Sequence, residues 1–206
     1  MPEKFIPAKQ DIEDDFWLSG KWRTVYIAST IPDKTAENGP FRAYLCYLVF
    51  DDEQGTVDFY FYVKLNGEWV AKHVMGKKTK NNTYVVEYEG ENKFEVIYAS
   101  DTVLVVSVVN KDKNKKCGEI QLAAIFVKVN DIEEKALEMF KELLKLKGIE
   151  EKYIVNFFES DNQNLMKKEK PKSEASDFPA ERSCKKNPDK PNFAGFCFLG
   201  RIIRFD

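Results

Sequence analysis

Between residues 57 and 64 apolar and polar positions alternate without a break, Val57, Phe59, Phe61 and Val63 against Asp58, Tyr60, Tyr62 and Lys64. A period of two puts successive side chains on opposite faces and marks a half-buried strand. The same period runs through 41–50, with Phe41, Ala43 and Leu45 on one face and Arg42 and Tyr44 on the other. Turn residues at 51–55 and the pair Asn66-Gly67 bound the alternating run, the latter a hairpin dipeptide. Further strands are expected at 22–28, 69–75, 83–88, 93–98, 103–109 and 119–128, broken by turns at Gly76, 80–82, 90–92, 100–101 and 110–118. About eight short antiparallel strands suit a sheet that closes on itself as an up-and-down barrel, and a barrel of that size holds one small ligand.

The period then lengthens. Leu137, Phe140, Leu143 and Leu144 fall on one face of a helix predicted over about 131–147, with Asp131 and Glu134 as its capping signal and Gly148 as its stop. The helix is expected against the barrel wall, beside a short strand at about 153–158. Two sparse motifs frame the strands: Gly20 and Trp22, and Tyr84, Tyr88 and Gly90. A Trp at the start of the first strand is a broad plug for one end of a small barrel, and Gly20 lets the chain turn tightly beside it. Trp22 is read as that plug and Tyr84 as packing outside the barrel or at its rim. Residues 1–15 read as a flexible N-terminal arm, 16–162 as the barrel domain, and 163–206 as a disordered or loosely ordered tail rich in charge around 167–174.

Composition narrows the function. A chain of 206 residues with a formal net charge of −2 fits one domain with appendages and offers no basic surface for nucleic acid or an anionic membrane. One His and four dispersed Cys supply no ordinary zinc site, so no metal is expected. No apolar run approaches the roughly 20 residues needed to span a bilayer, so membrane insertion is not expected. The first residues lack the apolar core of a signal peptide. Taken literally the chain starts in the cytosol; the other reading is a different first exon or an omitted leader. Cys46, Cys117, Cys184 and Cys197 cannot be paired from spacing alone. Asn81-Asn82-Thr83 is a glycosylation acceptor triplet in an expected turn, meaningful only in a secreted chain.

Over roughly residues 12–162 the chain resembles the lipocalins, and within them the mammalian odorant-binding proteins, a group that includes pheromone carriers and dander allergens. The resemblance rests on Ser19-Gly20-Lys21-Trp22, on 37–41 and Phe50-Asp51-Asp52, on 83–84 and 88–90 with Asn92 and Phe94, and on 155–159. It implies a secreted, extracellular carrier that binds small hydrophobic or volatile molecules in the barrel without acting on them, a role that needs no cofactor. Strand parity makes Phe41, Ala43, Leu45, Phe59 and Phe61 inward-facing, and the family's cavity lining falls at matching positions. Val74, Tyr88, Asn92, Phe94, Val108 and Ala123 are further matches. Phe rings give dispersion contact without fixed polarity, and Tyr88 and Asn92 are each placed to offer a ligand a hydrogen bond. His73, next to inward Val74, faces outward and has no role.

Two other readings stay open. In one, the barrel is filled by its own side chains and the protein works through exposed loops or tail, as an interaction protein or allergen-like lipocalin. In the other, more remote, it is a small-lipid isomerase of the kind that carries a cysteine inside the barrel, but parity turns Cys46 outward. The chain also departs from its relatives. A disulfide that ties the C-terminal segment to the barrel in many of them would fall at Trp69 and Gln163, so the staple is absent. Losing such a bridge removes about 2–4 kcal/mol and frees the helix to exchange between protomers, which makes a homodimer, swapped or simply associated, an expectation. Residues 164–206 have no counterpart in the family, and translated sequence from an alternative terminal exon is favoured over a partner-binding tail.

Overall fold

The computed structural model describes residues 16–112, 118–160, 195–198 and 201–204. The N-terminal arm, Cys117, Cys184 and most of the tail therefore lie outside the described residues. The chain divides into two units, 1–160 and 161–206. In the second, β11 (Gly195–Phe198) and β12 (Arg201–Arg204) form an antiparallel pair in which Phe196 opposes Ile203.

The first unit is a ten-stranded antiparallel sheet. Its strands are β1 (Gly20–Lys21), β2 (Arg23–Ser29), β3 (Tyr44–Asp51), β4 (Thr56–Leu65), β5 (Glu68–Lys80), β6 (Thr83–Glu87), β7 (Glu91–Ala99), β8 (Val103–Lys111), β9 (Glu119–Val127) and β10 (Val155–Asn156). Strands β3 to β9 pair in chain order, β9 returns to β2, and β1 pairs with β3. Because β1 and β2 are consecutive pieces of one N-terminal segment, the order curls round to its own start, as the up-and-down pattern predicted. The seam between β2 and β3 is held by Trp22 N–H donating to the Cys46 carbonyl at 2.9 Å. Buried Thr24 completes it: its hydroxyl donates to the Ala43 carbonyl at 2.8 Å and accepts from Leu45 N–H at 2.9 Å.

Apolar side chains form two layers. Inside the sheet, Val57, Phe59, Phe61 and Val63 of β4 join Leu45, Leu48, Phe94, Val96, Leu104 and Val106. The strict alternation read from β4 is its burial pattern. Outside, Val25, Ala28, Val103, Val105, Ala123 and Ile125 pack beneath the helix α1 (Glu134–Lys147) through Ala136, Phe140, Leu143 and Leu144. This second layer explains why β8 and β9 read as nearly unbroken apolar runs: both of their faces are covered. One end of the barrel is stopped by Leu18 and Trp22, whose indole N–H donates to the Leu18 carbonyl at 2.7 Å. Lys128 lies 4.6 Å from the centre of the Trp22 ring, and burial holds its ammonium below the ordinary lysine pKa.

Several expectations are corrected. Tyr84 is not at the rim but fully buried beside Phe50, ring centroids 5.6 Å apart, so the closed end is filled by a second aromatic as well as by Trp22. Strand β3 begins at Tyr44 rather than at 41; Pro40 and the loop hydrogen bonds of Phe41 N–H to the Lys34 carbonyl and Arg42 N–H to the Gly39 carbonyl keep 41–43 out of the ladder. Gly76 is not a turn but lies within β5, opposite Val57 and Val86. A Cβ there would come within 2.8 Å of a Val86 methyl and 3.0 Å of a Val57 methyl, so the glycine serves crowding rather than chain reversal. Asp131 caps nothing at the helix: its carboxylate accepts from Ile132 N–H, and Glu133 occupies the N-cap position. The last strand shrinks to Val155–Asn156, paired with β2, and the chain turns at once into a short helix, α2 (Phe157–Ser160).

Candidate ligand cavity

The inward faces enclose a cavity of about 110 Å³ lined by Ile27, Phe41, Ala43, Leu45, Phe59, Phe61, Val74, Val86, Tyr88, Asn92, Phe94, Val106, Val108, Leu122, Ala123, Ala124 and Phe126. All eleven positions named from the sequence, five by strand parity and six as matches to the family's lining, border it. Ala123 faces the other way, packing in the layer beneath the helix, and borders the cavity beside Leu122 and Ala124. Ile27, Val86, Val106, Leu122, Ala124 and Phe126 were missed. Parity carried the signal for Val106, two residues from Val108, whereas taking Ala123 as inward pointed its neighbours Leu122 and Ala124 the wrong way. Ile27 and Phe126 sit on strands whose two faces are both apolar, where period two is silent. Cys46 is not among the lining residues, and His73 faces outward, its Nε2 2.7 Å from Asp58 and its ring stacked on Tyr60 at 4.3 Å.

Aromatic rings build the cavity wall. Phe59 and Phe94 meet edge to face at 4.9 Å, and Tyr88 stands between Phe61 at 5.2 Å and Phe41 at 5.6 Å, nearly perpendicular to both. Such pairs hold rings in fixed orientation beyond what area burial supplies. Phe41 arrives from the loop 30–43 that crosses this end of the barrel. Three contacts hold that loop down: the Tyr88 hydroxyl donates to the Pro40 carbonyl at 2.8 Å, Lys34 reaches Asp112 at 4.0 Å, and the same ammonium lies 6.0 Å from the Phe41 ring.

The polar groups expected to serve a ligand are already committed. Asn92 is buried, its amide nitrogen donating to the carbonyls of Val86, Tyr88 and Gly90 at 3.2, 2.6 and 3.2 Å. Its side-chain oxygen accepts from Asn110 at 3.0 Å. Gly90, at φ +106, makes this turn possible, since a Cβ there would fall 2.4 Å from the Lys111 carbonyl. Burial, with Glu89 adding to it, pushes the Tyr88 phenol far above its ordinary pKa, which keeps it protonated as a donor to Pro40. The lining thus offers a ligand dispersion contact and almost no hydrogen-bonding partner. That setting takes up apolar molecules and disfavours any group that must shed water without replacement.

Comparison with known proteins agrees with this geometry. The profile of the Lipocalin / cytosolic fatty-acid binding protein family matches residues 19–161. A bovine odorant-binding protein is 49% identical over 155 residues, 75% of this chain and 94% of that protein. A structure described as a deswapped triple mutant of bovine odorant-binding protein superposes with a TM-score of 0.65 at 49% identity, covering 70% of this chain and 95% of the other. The complex of bovine odorant-binding protein with undecanal does so with a TM-score of 0.53 at 48% identity, covering 73% and 96%. The barrel, its aromatic cavity and these matches place the chain in the lipocalin family.

Proposed function

We propose that this protein is a carrier that reversibly binds small hydrophobic or volatile molecules, odorants or pheromones among them, inside its barrel and does no chemistry on them. The observation that carries the reading is a cavity lined by Phe41, Phe59, Phe61 and Phe94 in which the polar atoms of Tyr88 and Asn92 are already bonded to backbone and to Asn110. The related bovine protein is known in complexes with undecanal and with a selenium-containing odorant, which supports the same class of ligand here. Affinity then comes from apolar burial, at about 25 cal/mol per Å², without directed bonds. The eleven positions named from the sequence, Ala43, Leu45, Val74, Val108 and Ala123 with those named above, are proposed as ligand contacts.

The test is titration with an environment-sensitive hydrophobic probe, followed by displacement with alkanals, alcohols and fatty acids. Saturable uptake and competitive displacement are expected, and Phe59→Trp, which adds bulk within a cavity of about 110 Å³, should abolish uptake while the protein stays folded. Undiminished uptake in Phe59→Trp would place the probe outside the barrel. The site belongs to an extracellular, secreted protein, as family membership supports. Two copies exchanging the C-terminal segment is the proposed assembly, supported by Trp69 standing where relatives carry the stapling cysteine and by the bovine structure described as deswapped.

A further inference from the structure

We propose that Asn81 is a site of N-linked glycosylation, an inference that rests on the secreted reading above. Strands β5 and β6 are joined by the turn Asn81-Asn82, and Thr83 completes an Asn-x-Thr triplet. The fold treats the three residues differently. Asn82 and Thr83 are fully buried, whereas Asn81 is exposed. Asn82 takes the left-handed conformation at φ +60, which Asn tolerates better than most residues. Its carbonyl accepts from Val96 N–H at 2.9 Å, and the Thr83 hydroxyl donates to the Asn81 carbonyl at 3.3 Å. The backbone of the triplet is therefore pinned, while the Asn81 side-chain amide makes no hydrogen bond among the described residues and stands in solvent.

The chemistry is an amide N-glycosylation. The Asn81 amide nitrogen attacks C1 of an oligosaccharide carried on a lipid pyrophosphate. The N–C1 bond forms, the bond from C1 to the pyrophosphate oxygen breaks, the lipid pyrophosphate leaves, and the nitrogen gives up one proton to a base. The transferase must also reach the Thr83 hydroxyl, which the finished barrel buries. Transfer accordingly precedes closure of the β5–β6 hairpin, and the product is compatible with the fold because the modified side chain alone remains outside.

Topology fixes where the glycan stands. Successive turns of an up-and-down sheet alternate between its two ends. The turn at 81–82 shares the end that holds Trp22, Phe50 and Tyr84, and the turn at 88–90 lies at the opposite end with Tyr88 and the loop over the cavity. A glycan on Asn81 leaves the mouth clear, so ligand binding should be the same with and without it.

The full chain, placed behind a cleavable secretory leader, would be translated in the presence of microsomes. The expected product is protease-protected, retarded in gel mobility by one glycan, and restored by a glycosidase that converts the modified asparagine to aspartate. Asn81→Gln should abolish the shift, and Thr83→Ser, which keeps the hydroxyl, should retain part of it. A protected product with no shift, or a shift that survives Asn81→Gln, overturns the site. A product left outside the vesicles despite the leader overturns the site, because the chain would never meet the transferase, while leaving the ligand titration of the purified chain as a separate measure of the carrier reading.

Discussion

Tyr88 ties together the mouth of the cavity: its ring braces Phe41 and Phe61, and its hydroxyl holds the crossing loop at Pro40. An engineered protein cavity of about 150 Å³ binds benzene, and the 110 Å³ found here is smaller, so a longer molecule should displace side chains at the mouth. Entry and exit should therefore be gated by the Tyr88–Pro40 bond. Tyr88→Phe keeps the ring and removes one neutral hydrogen bond worth about 1 kcal/mol, so stopped-flow traces should show association and dissociation both faster by about fivefold, with little change at equilibrium. Rates unchanged by the substitution would mean that ligand enters elsewhere. The freed Pro40 carbonyl would also accept from an alcohol, raising alcohols relative to hydrocarbons of equal size. At this scale the sequence located Tyr88 and Asn92 but not their employment. Strand parity reports which way a side chain faces, whereas the carbonyls that claim these two residues come from a turn and a loop whose paths no periodicity encodes.

Gly76 and Glu133 show what the elements demand. In β5 the close approach of Val57 and Val86 leaves no room for a Cβ, so Gly76→Ala should destabilise the barrel by about 1–3 kcal/mol through overpacking, read by chemical denaturation. A neutral effect would show that the valines shift freely. At the start of α1, Glu133 accepts from the hydroxyls of Ser100, Tyr98 and Thr102, pinning the helix to the turn between β7 and β8. The Ser100 bond foremost, with Tyr98, Thr102 and the charge of Lys135, holds this carboxyl below its ordinary range against the opposing effect of burial. A pKa depressed in the folded state stabilises above the unfolded carboxylate range and fades as pH falls through the folded value. Glu133→Gln should thus lose about 1 kcal/mol at neutral pH, discounted for its partial exposure, and the gap should narrow as acid protonates the carboxylate, below the ordinary carboxylate range. An equal gap in acid and at neutral pH would contradict that assignment. The capping signal at Asp131 misled because acidic residues crowd this segment, and only the position of Ser100 and Thr102 decides which one is anchored.

For the whole molecule, the alternation in β4, the hairpin at Asn66-Gly67 and the helical face of Phe140 and Leu144 sufficed to predict a closed antiparallel sheet with one helix on its wall. The closed end was legible in Trp22 but not in Tyr84, because a tyrosine following a turn gives no sign of being swallowed by the end of a barrel. The helix adheres to the wall through Ala136, Phe140, Leu143 and Leu144, contacts a second copy would reproduce. Equilibrium sedimentation over a wide concentration range should therefore show dimer at the upper end, and a monomer mass throughout would rule the exchanged assembly out. The central claim is uptake of an apolar molecule into the barrel, and titration calorimetry with undecanal at several temperatures tests it most directly. The account predicts a saturable one-to-one isotherm with a negative heat-capacity change, the mark of apolar burial. The absence of saturable binding by folded protein, or binding whose enthalpy does not vary with temperature, would contradict it.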